Sequence, residues 1–482
     1  MKRTALVPLA AAVVVRIVPA VWGYEHYGDA PVRIELAERW AAQPHLWHGF
    51  LETYQYGPLH LTLIGALIRL LGDRVLAARA LSLACGLAGV WLLGRIAERE
   101  RGEGAAFWAA LGLALSPLHV QASTTGASEA VFLALFLGSL WLVLEEQALF
   151  AALLLGAAGL VRYDGWMYVP LFGALLFLRT KDLPRTMGFL ALATVPVVFW
   201  MGVNAHFTGD SLAPIHHIDR DHLALARMAL AWFGQARYRL YGLFYWPLSV
   251  CLLATPVLGV CALWGSARCL VRRGPGWDLV AVAWLPAVYF AFRTAVLADF
   301  RPMARFVMVA AAVSLIFASD ALDLLTRRAR AFAAGTAVVL LVTTPLLLAA
   351  VSWNRTGALA EWARPLSPIG SLPPGIAEAA AWLKENATPR DTVLLDGVWD
   401  YLDIPLAFAA GLPDEQWIRA AWTGDFEDRL RRRKPTLAAL IYQGKLGDFT
   451  SNRFEFRGLS FCAARRFTYA TVYRRCASAS AR

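Results

Sequence analysis

The chain has 482 residues, of which 58% are hydrophobic and only 17% charged, and its mean hydropathy is +0.49. An apolar majority gathered in repeated runs of roughly 20 residues, the length that crosses a bilayer core, excludes an ordinary soluble domain and describes a polytopic membrane protein. The formal net charge of +11 does not point to nucleic acid, because the arginines stand at the ends of apolar runs, where they set topology and meet lipid headgroups.

The first apolar run, residues 4–22, follows Met1-Lys2-Arg3 and so has the charged start of a signal peptide. Arg16 lies inside it and no small-x-small cleavage site precedes Tyr24, so it reads as the first span. Residues 23–58 then form a polar loop rich in acids, histidines and aromatics. Residues 59–71 are apolar but short, with Arg69 among them, and suit an interfacial helix. Gly72-Asp73-Arg74 breaks that helix. Further spans are expected near 75–97, 105–120, 130–144, 148–160, 166–178, 186–203, 240–264, 279–292, 303–318 and 332–352, with a long loop at 204–239.

The basic clusters Lys2-Arg3, Arg95 to Arg101, Arg179-Lys181-Arg185, Arg268-Arg272-Arg273 and Arg327-Arg328-Arg330 fall on alternate sides in one register. With about eleven spans, the positive-inside rule puts the N-terminus in the cytoplasm. The 23–58 loop, the turns at 123–129 and 162–165, the 204–239 loop and the C-terminal tail then face the outside. From Asn354 the composition becomes that of a water-soluble domain, long enough for its own core. The expected organisation is a membrane domain over 1–353 and a small extracytoplasmic α/β domain over 354–482.

In that tail, 375–386 and 425–433 read as helices and 392–395, leading to Asp396, and 437–442 as strands. Segments 459–463 and 467–474 suit a terminal hairpin, and Pro365, Pro368, Pro373 and Pro374 mark a stiff join. Cys85, Cys251, Cys261 and Cys269 lie in or beside spans and read as small buried hydrophobes. Cys462 and Cys476 lie in the polar tail, where an oxidising compartment would allow a disulfide.

Four constellations can carry chemistry. Glu25 and Asp29 lie where the first span leaves the bilayer, a boundary that raises a carboxylate's value as a base or metal ligand. The plainer reading, a solvated acid paired with Arg33, weighs equally for Asp29, and solvation is the better reading for Glu35 and Glu38. Ser123-Thr124-Thr125-Gly126-Ala127-Ser128-Glu129 is a polar turn opening into a span. Glu129 there is either a helix-end acid favoured by the dipole and Ser128 or a second functional acid. Arg16, Arg162, Arg293, Arg301 and Arg305 lie within or at the outer ends of apolar segments, where a guanidinium snorkels, pairs with an acid or meets a phosphate. Arg301 and Arg305 are the best phosphate candidates. His216-His217-Ile218-Asp219-Arg220-Asp221-His222, with His206 and Asp210 before it, is dense in imidazole and carboxylate but matches no tight metal spacing. No Walker loop, GxGxxG turn, HExxH or GxSxG stands in its proper context.

The order of these features resembles the GT-C superfamily of membrane glycosyltransferases, especially the bacterial relatives of protein O-mannosyltransferases and aminoarabinose transferases. The resemblance covers most of residues 1–352. It is carried by Arg16, Tyr27-Gly28-Asp29, Tyr56-Gly57-Pro58-Leu59, Leu71-Gly72-Asp73, Ala78-Arg79, Ser116-Pro117-Leu118-His119, Ser128-Glu129, Leu160-Val161-Arg162-Tyr163-Asp164-Gly165 and Arg305-Phe306. It implies an inner- or plasma-membrane enzyme that moves a sugar from a polyprenyl-phosphate carrier to a lipid, glycan or protein acceptor at the external face. It gives Asp29 the role of base or divalent-metal ligand, Glu129 that of a second external acid, and Arg305, with Arg301 and Arg162, that of phosphate recognition. Ala30 and Gly57 depart from the second acid and the first proline that relatives carry.

The residues themselves are consistent with that chemistry. A lipid-linked donor presents its phosphate at the interface, where arginines neutralise the leaving group, and no nucleotide cofactor is needed. Tyr24, Tyr27, Trp47, Tyr54 and Tyr56 suit the lining of sugar and acceptor sites, with Glu25 beside them, or else an interfacial aromatic belt. The rival from another class is a transporter or lipid flippase, which would place charges along a pathway rather than at one face. A noncatalytic relative is a further alternative.

Overall fold

The computed structural model describes residues 3–23, 25, 28–44, 56–326, 335, 339, 372, 375–397, 402–419, 426–442 and 444–476. The expected proline join, the aromatics Tyr24, Tyr27, Trp47 and Tyr54, and all of the 332–352 run except the helical Gly335 and Val339 lie outside them. The chain forms two compact units, Met1–Trp22 with Arg33–Ile369 and Gly23–Val32 with Gly370–Arg482.

The first unit is helical. After α1 (Arg3–Trp22) and α2 (Ala30–Ala42) comes α3 (Pro58–Leu71). It starts on a proline, whose missing N–H costs nothing at that position, and stops at Gly72 with φ 75°. Asp73 then caps α4 (Arg74–Arg101), accepting from the Leu76 amide at 2.8 Å. α4 packs against α1, α3, α5 (Glu103–Leu115) and α7 (Glu129–Leu144). In turn α7 packs on α8 (Ala148–Val161), and α8 on α10 (Leu183–Thr208). α7 is apolar all round and almost wholly buried, as suits a helix at the centre of a membrane bundle.

Among the described residues three helices are long and apolar enough to cross a bilayer, Arg74–Arg101, Leu183–Thr208 and Trp277–Leu297. Several expected spans are instead built from pieces. The 105–120 run breaks at Ser116, whose hydroxyl caps the short α6 (Pro117–Ala122). The 240–264 run divides into α12 (Gln235–Leu253) and α13 (Pro256–Arg272), with Thr255 at φ 65° between them. The 303–318 run opens with a 3-10 turn, Ala304–Val307, and continues as α15 (Met308–Leu315) and α16 (Ala318–Thr326). The expected loop at 204–239 is largely helical: α10 runs on to Thr208 and α11 (Ala213–Phe233) follows. Pro214 opens α11, and its buried face carries His222 and Ala226 while Arg220 and Arg227 are exposed. The dense polar residues made an amphipathic helix read as a loop.

Ion pairs fix which helix ends lie together. Arg99 at the end of α4 pairs with Glu145, just past α7. Arg179, near the end of α9 (Tyr168–Thr180), pairs with Glu100 at 2.7 Å and with Asp278, in the first turn of α14 (Trp277–Phe292), at 2.7 Å. Arg101 pairs with Asp320 at 3.0 Å and Arg185 with Glu146 at 3.4 Å. The basic clusters at 95–101 and 179–185 therefore share one end of the bundle. The start of α7 and the end of α8 lie at the other.

The second unit contains a six-stranded sheet in the order β2-β1-β3-β6-β5-β4. β1 (Val393–Leu395) is parallel to both β2 (Trp417–Arg419) and β3 (Leu437–Ile441), while β4 (Arg453–Phe456), β5 (Leu459–Arg466) and β6 (Ala470–Arg475) run antiparallel. The helices α17 (Ile376–Asn386), α18 (Asp403–Ala410) and α19 (Phe426–Arg432) complete it, and apolar residues fill both sheet faces. The terminal hairpin pairs β5 with β6, and Cys462 and Cys476 form a disulfide with Cα atoms 5.3 Å apart. α18, β2 and β4 were not anticipated. Asp396, directly after β1, is fully buried. Burial pushes its carboxyl up to about 6, against the opposing pull of the Leu446 and Lys445 amides that donate to Oδ1. Gly444 lies so close that a Cβ there would stand 1.6 Å from Oδ2, so only glycine fits.

Candidate active site

Of the residues expected at the site, Glu25 and Asp29 belong to the second unit, and Tyr56, Glu129, Arg162, Arg301 and Arg305 to the first. Asp29 is partly buried and stands immediately before the first residue of α2, where a carboxylate meets the positive end of a helix. Glu25 is buried.

The polar centre of the first unit is built on Arg162. α8 ends at Val161, and Arg162 is extended, with φ −144° and ψ 133°, before a 3-10 turn at Tyr163–Met167. Its guanidinium reaches the first residue of α7, where Nη1 donates to Glu129 Oε1 at 2.8 Å. Nε donates to Asp164 Oδ1 at 3.0 Å and Nη2 to Oδ2 at 3.4 Å. Arg162 is 8% exposed and Glu129 3%. The rings of Phe132 and Phe306 lie 5.8 and 5.6 Å from the guanidinium carbon. One cation thus serves the buried Glu129 and the partly buried Asp164, and Arg305 stands close enough to act on Arg162. The expected cap from Ser128 does not form: its side chain makes no bond to the start of α7, and the ion pair orients Glu129 instead.

Asp164 was legible as part of the Arg162-Tyr163-Asp164 motif but was not read as the second partner of that arginine; the signal that could have found it is the two-residue spacing at the start of a tight turn.

Tyr56 is buried, with the Arg33 guanidinium 4.4 Å from its ring centroid. Its carbonyl accepts from Tyr163 Oη at 3.3 Å, and Tyr163 Oη accepts from Trp200 Nε1 at 3.0 Å. The His222 ring stacks on Phe300 at 4.0 Å between centroids, with Arg305, Arg293 and Arg301 near enough for their charges to act on it. Arg293 is engaged by Asp219 at 2.6 Å and Asp299 at 3.1 Å. Arg16 takes a course not foreseen for a buried cation. Among the described residues it pairs with no carboxylate, but donates to Ser123 Oγ, to the Ala12 and Ala114 carbonyls, and shares a hydrogen bond with His119 Nδ1, all at 2.8–2.9 Å. The histidine-rich segment forms local pairs, His216 with Asp210 at 2.7 Å and His217 with Asp221 at 3.4 Å. Among the described residues no three His, Cys, Asp or Glu side chains gather as a metal would require.

A helical bundle with charged residues buried at one end, joined to a small α/β unit, defines a polytopic membrane protein with a buried polar cluster. The comparisons give the class: the chain has the GT-C fold of membrane glycosyltransferases. A family model described as dolichyl-phosphate-mannose-protein mannosyltransferase matches residues 55–200. ArnT from Cupriavidus metallidurans bound to undecaprenyl phosphate is similar at 16% identity, with 98% of each chain covered and a TM-score of 0.64. The apo form of that protein matches at 16% identity, 97% of each chain and a TM-score of 0.59. The Archaeoglobus fulgidus oligosaccharyltransferase in the apo form matches at 14% identity, covering 91% of this chain and 69% of its own, with a TM-score of 0.50. No curated protein sequence matches.

Proposed function

We propose that the protein transfers a sugar from a polyprenyl-phosphate donor to a hydroxyl-bearing acceptor at the extracytoplasmic face of the membrane, with inversion at the anomeric carbon. The observation that carries this reading is the buried Arg162 center, held between Glu129 and Asp164 with Arg305 beside it, at one end of a GT-C bundle. The related ArnT is described with undecaprenyl phosphate bound, which supports a lipid phosphate as the donor's leaving group.

Asp29 is the proposed base. Its carboxylate takes the proton of the acceptor hydroxyl as the oxygen attacks C1, and the bond from C1 to the phosphate oxygen breaks with its electrons going to phosphate. Arg305 and Arg301 stabilise the charge that develops there. Arg162 is committed to Glu129 and Asp164, which suits it to fixing those acids rather than to binding phosphate alone. Glu129 then orients the acceptor or sugar. A lipid-linked donor requires no nucleotide.

The test is transfer from polyprenyl-phosphate sugars by the purified protein in lipid nanodiscs, alongside Asp29→Asn. Wild-type turnover with a loss of at least about a hundredfold in the variant is expected for a missing general base. Full activity in Asp29→Asn would remove the base assignment. No transfer from any such donor would favour a noncatalytic member of the fold.

A further inference from the structure

Arg16, in the second half of α1, is fully buried and pairs with no carboxylate among the described residues. A guanidinium in such a place is costly, and an apolar residue would suit a helix that also carries Val13, Val14 and Ile17. Its reason lies in what its donors hold.

Those donors join α1 to α5 and α6. Nη1 donates to the Ala12 carbonyl of its own helix at 2.9 Å and to the Ala114 carbonyl of α5 at 2.8 Å. Nε donates to Ser123 Oγ at 2.8 Å, and Nη2 shares a hydrogen bond with His119 Nδ1 at 2.9 Å. The contact with Ala114 answers to the break between α5 and α6. Ser116 is extended, with φ −61° and ψ 117°, and Pro117 has no N–H, so carbonyls at the end of α5 lose the donors that a continuous helix would give them. Arg16 supplies one in their place. Ser123 is also pressed against α4 at Gly86, where a Cβ would stand 2.3 Å from Ser123 Cβ. Arg16 and Gly86 together fix the residue at which α6 ends and the turn toward Glu129 begins.

That turn has little freedom to absorb a shift at its start. Ser123 Oγ donates to the His119 carbonyl at 2.6 Å, Thr124 Oγ1 to the Val120 carbonyl at 2.9 Å and Thr125 Oγ1 to the Gln121 carbonyl at 2.9 Å. Successive hydroxyls thus carry the α6 ladder past its last residue, each bonding four residues back. Every residue from Ser123 to Glu129 is buried, and close-packed interiors transmit displacement.

We infer that Arg16 is a positioning residue for the reaction: by tying α6 and Ser123 to α1, it sets the backbone from which Glu129 reaches Arg162. This rests on the transfer reading above.

The experiment measures transfer from polyprenyl-phosphate sugars, with thermal midpoints on the same preparations, by the full chain in nanodiscs. The proteins are wild type, Arg16→Met, Ser123→Ala, Glu129→Ala, and each of the first two substitutions combined with Glu129→Ala. Arg16→Met is expected to lower kcat about tenfold or more, since a misplacement of about 1 Å can cost a hundredfold, while the donor KM, set by Arg301 and Arg305, stays within about threefold. Ser123→Ala, which removes one acceptor and one rung, is expected to lower kcat by about threefold or more. In the Glu129→Ala background neither substitution should lower kcat by more than about twofold, because residues that act through one side chain are not additive. Wild-type kcat in a folded Arg16→Met, or the same fractional loss with and without Glu129, would overturn the inference. If Glu129→Ala has no measurable turnover, the split decides: a rise in donor KM that matches or exceeds the fall in kcat overturns it. If Arg16→Met fails to fold, Ser123→Ala decides in the same way, and wild-type kcat there refutes the role. Absence of transfer by the wild type would instead overturn the transfer reading, and this inference with it.

Discussion

Arg162 concentrates the electrostatics of the candidate site, because its planar fork is divided between Glu129 and Asp164. Removing it would leave two neighbouring carboxylates in a place where both are nearly excluded from solvent. Breaking a buried pair by deleting one partner costs about 3–5 kcal/mol, mostly from the charge left behind. Arg162→Met is therefore expected to lower the thermal midpoint markedly and abolish transfer. Arg162→Lys keeps the charge but cannot reproduce the two-sided fork, so it should retain more stability than activity. Thermal unfolding in nanodiscs and turnover, measured on the same preparations, separate the two effects. Wild-type unfolding and wild-type turnover in Arg162→Met would show that the pair is dispensable. Arg16 makes the complementary point: a buried guanidinium is accommodated by neutral acceptors when helices supply carbonyls, a hydroxyl and an imidazole at the right places.

At the scale of elements, the junction between α3 and α8 is a tight contact near the site. Gly57 is the N-cap of α3, and a Cβ there would lie 2.3 Å from the Leu160 oxygen and 2.5 Å from the Val161 oxygen, both backbone atoms that cannot swing aside. Gly57→Ala is expected to push α3 away from the Arg162 turn and reduce transfer by at least about tenfold, since a displacement of about 1 Å can cost a hundredfold in rate. An unaffected rate in a folded Gly57→Ala protein would show that this contact does not position the site. The same junction shows what the sequence could reveal. Length and apolar runs located α3, α4, α7, α8 and α10 closely, because each is a continuous hydrophobic segment with a glycine, proline or charged residue at one or both of its limits. They failed where an amphipathic helix carries many polar residues, as in α11, and where a break such as Thr255 interrupts an apolar run. Glu129 and Arg162 were visible as separate candidates. Their pairing, across 33 positions in sequence, depends on α7 and α8 packing side by side, which no local pattern encodes.

For the whole molecule, the question that unites the two units is which side of the membrane each faces. Two independent physical signals bear on it. The basic clusters around Arg99 and Arg179 share one end of the helical unit, and clustered Lys and Arg residues stay in the cytoplasm. The second unit carries the Cys462–Cys476 disulfide, a bond that persists in oxidising compartments and is rare in the cytosol. The extracytoplasmic reaction proposed above requires the small α/β unit on the outer side, the kind of compartment in which such a disulfide persists. Fusions at the C-terminus should accordingly give active alkaline phosphatase, which needs an oxidising compartment, and a dark green fluorescent protein exported by the same route. In intact cells a membrane-impermeant maleimide should label Cys462 and Cys476 only after reduction, with Cys462→Ser/Cys476→Ser as the blank. A fluorescent fusion combined with inactive phosphatase would place the unit in the cytoplasm and remove the extracytoplasmic reaction with it. The expected result would instead put the acceptor on the outside, where a sugar can be supplied only by a carrier that crosses the bilayer, and this is the physical reason for a lipid-linked rather than a nucleotide-linked donor.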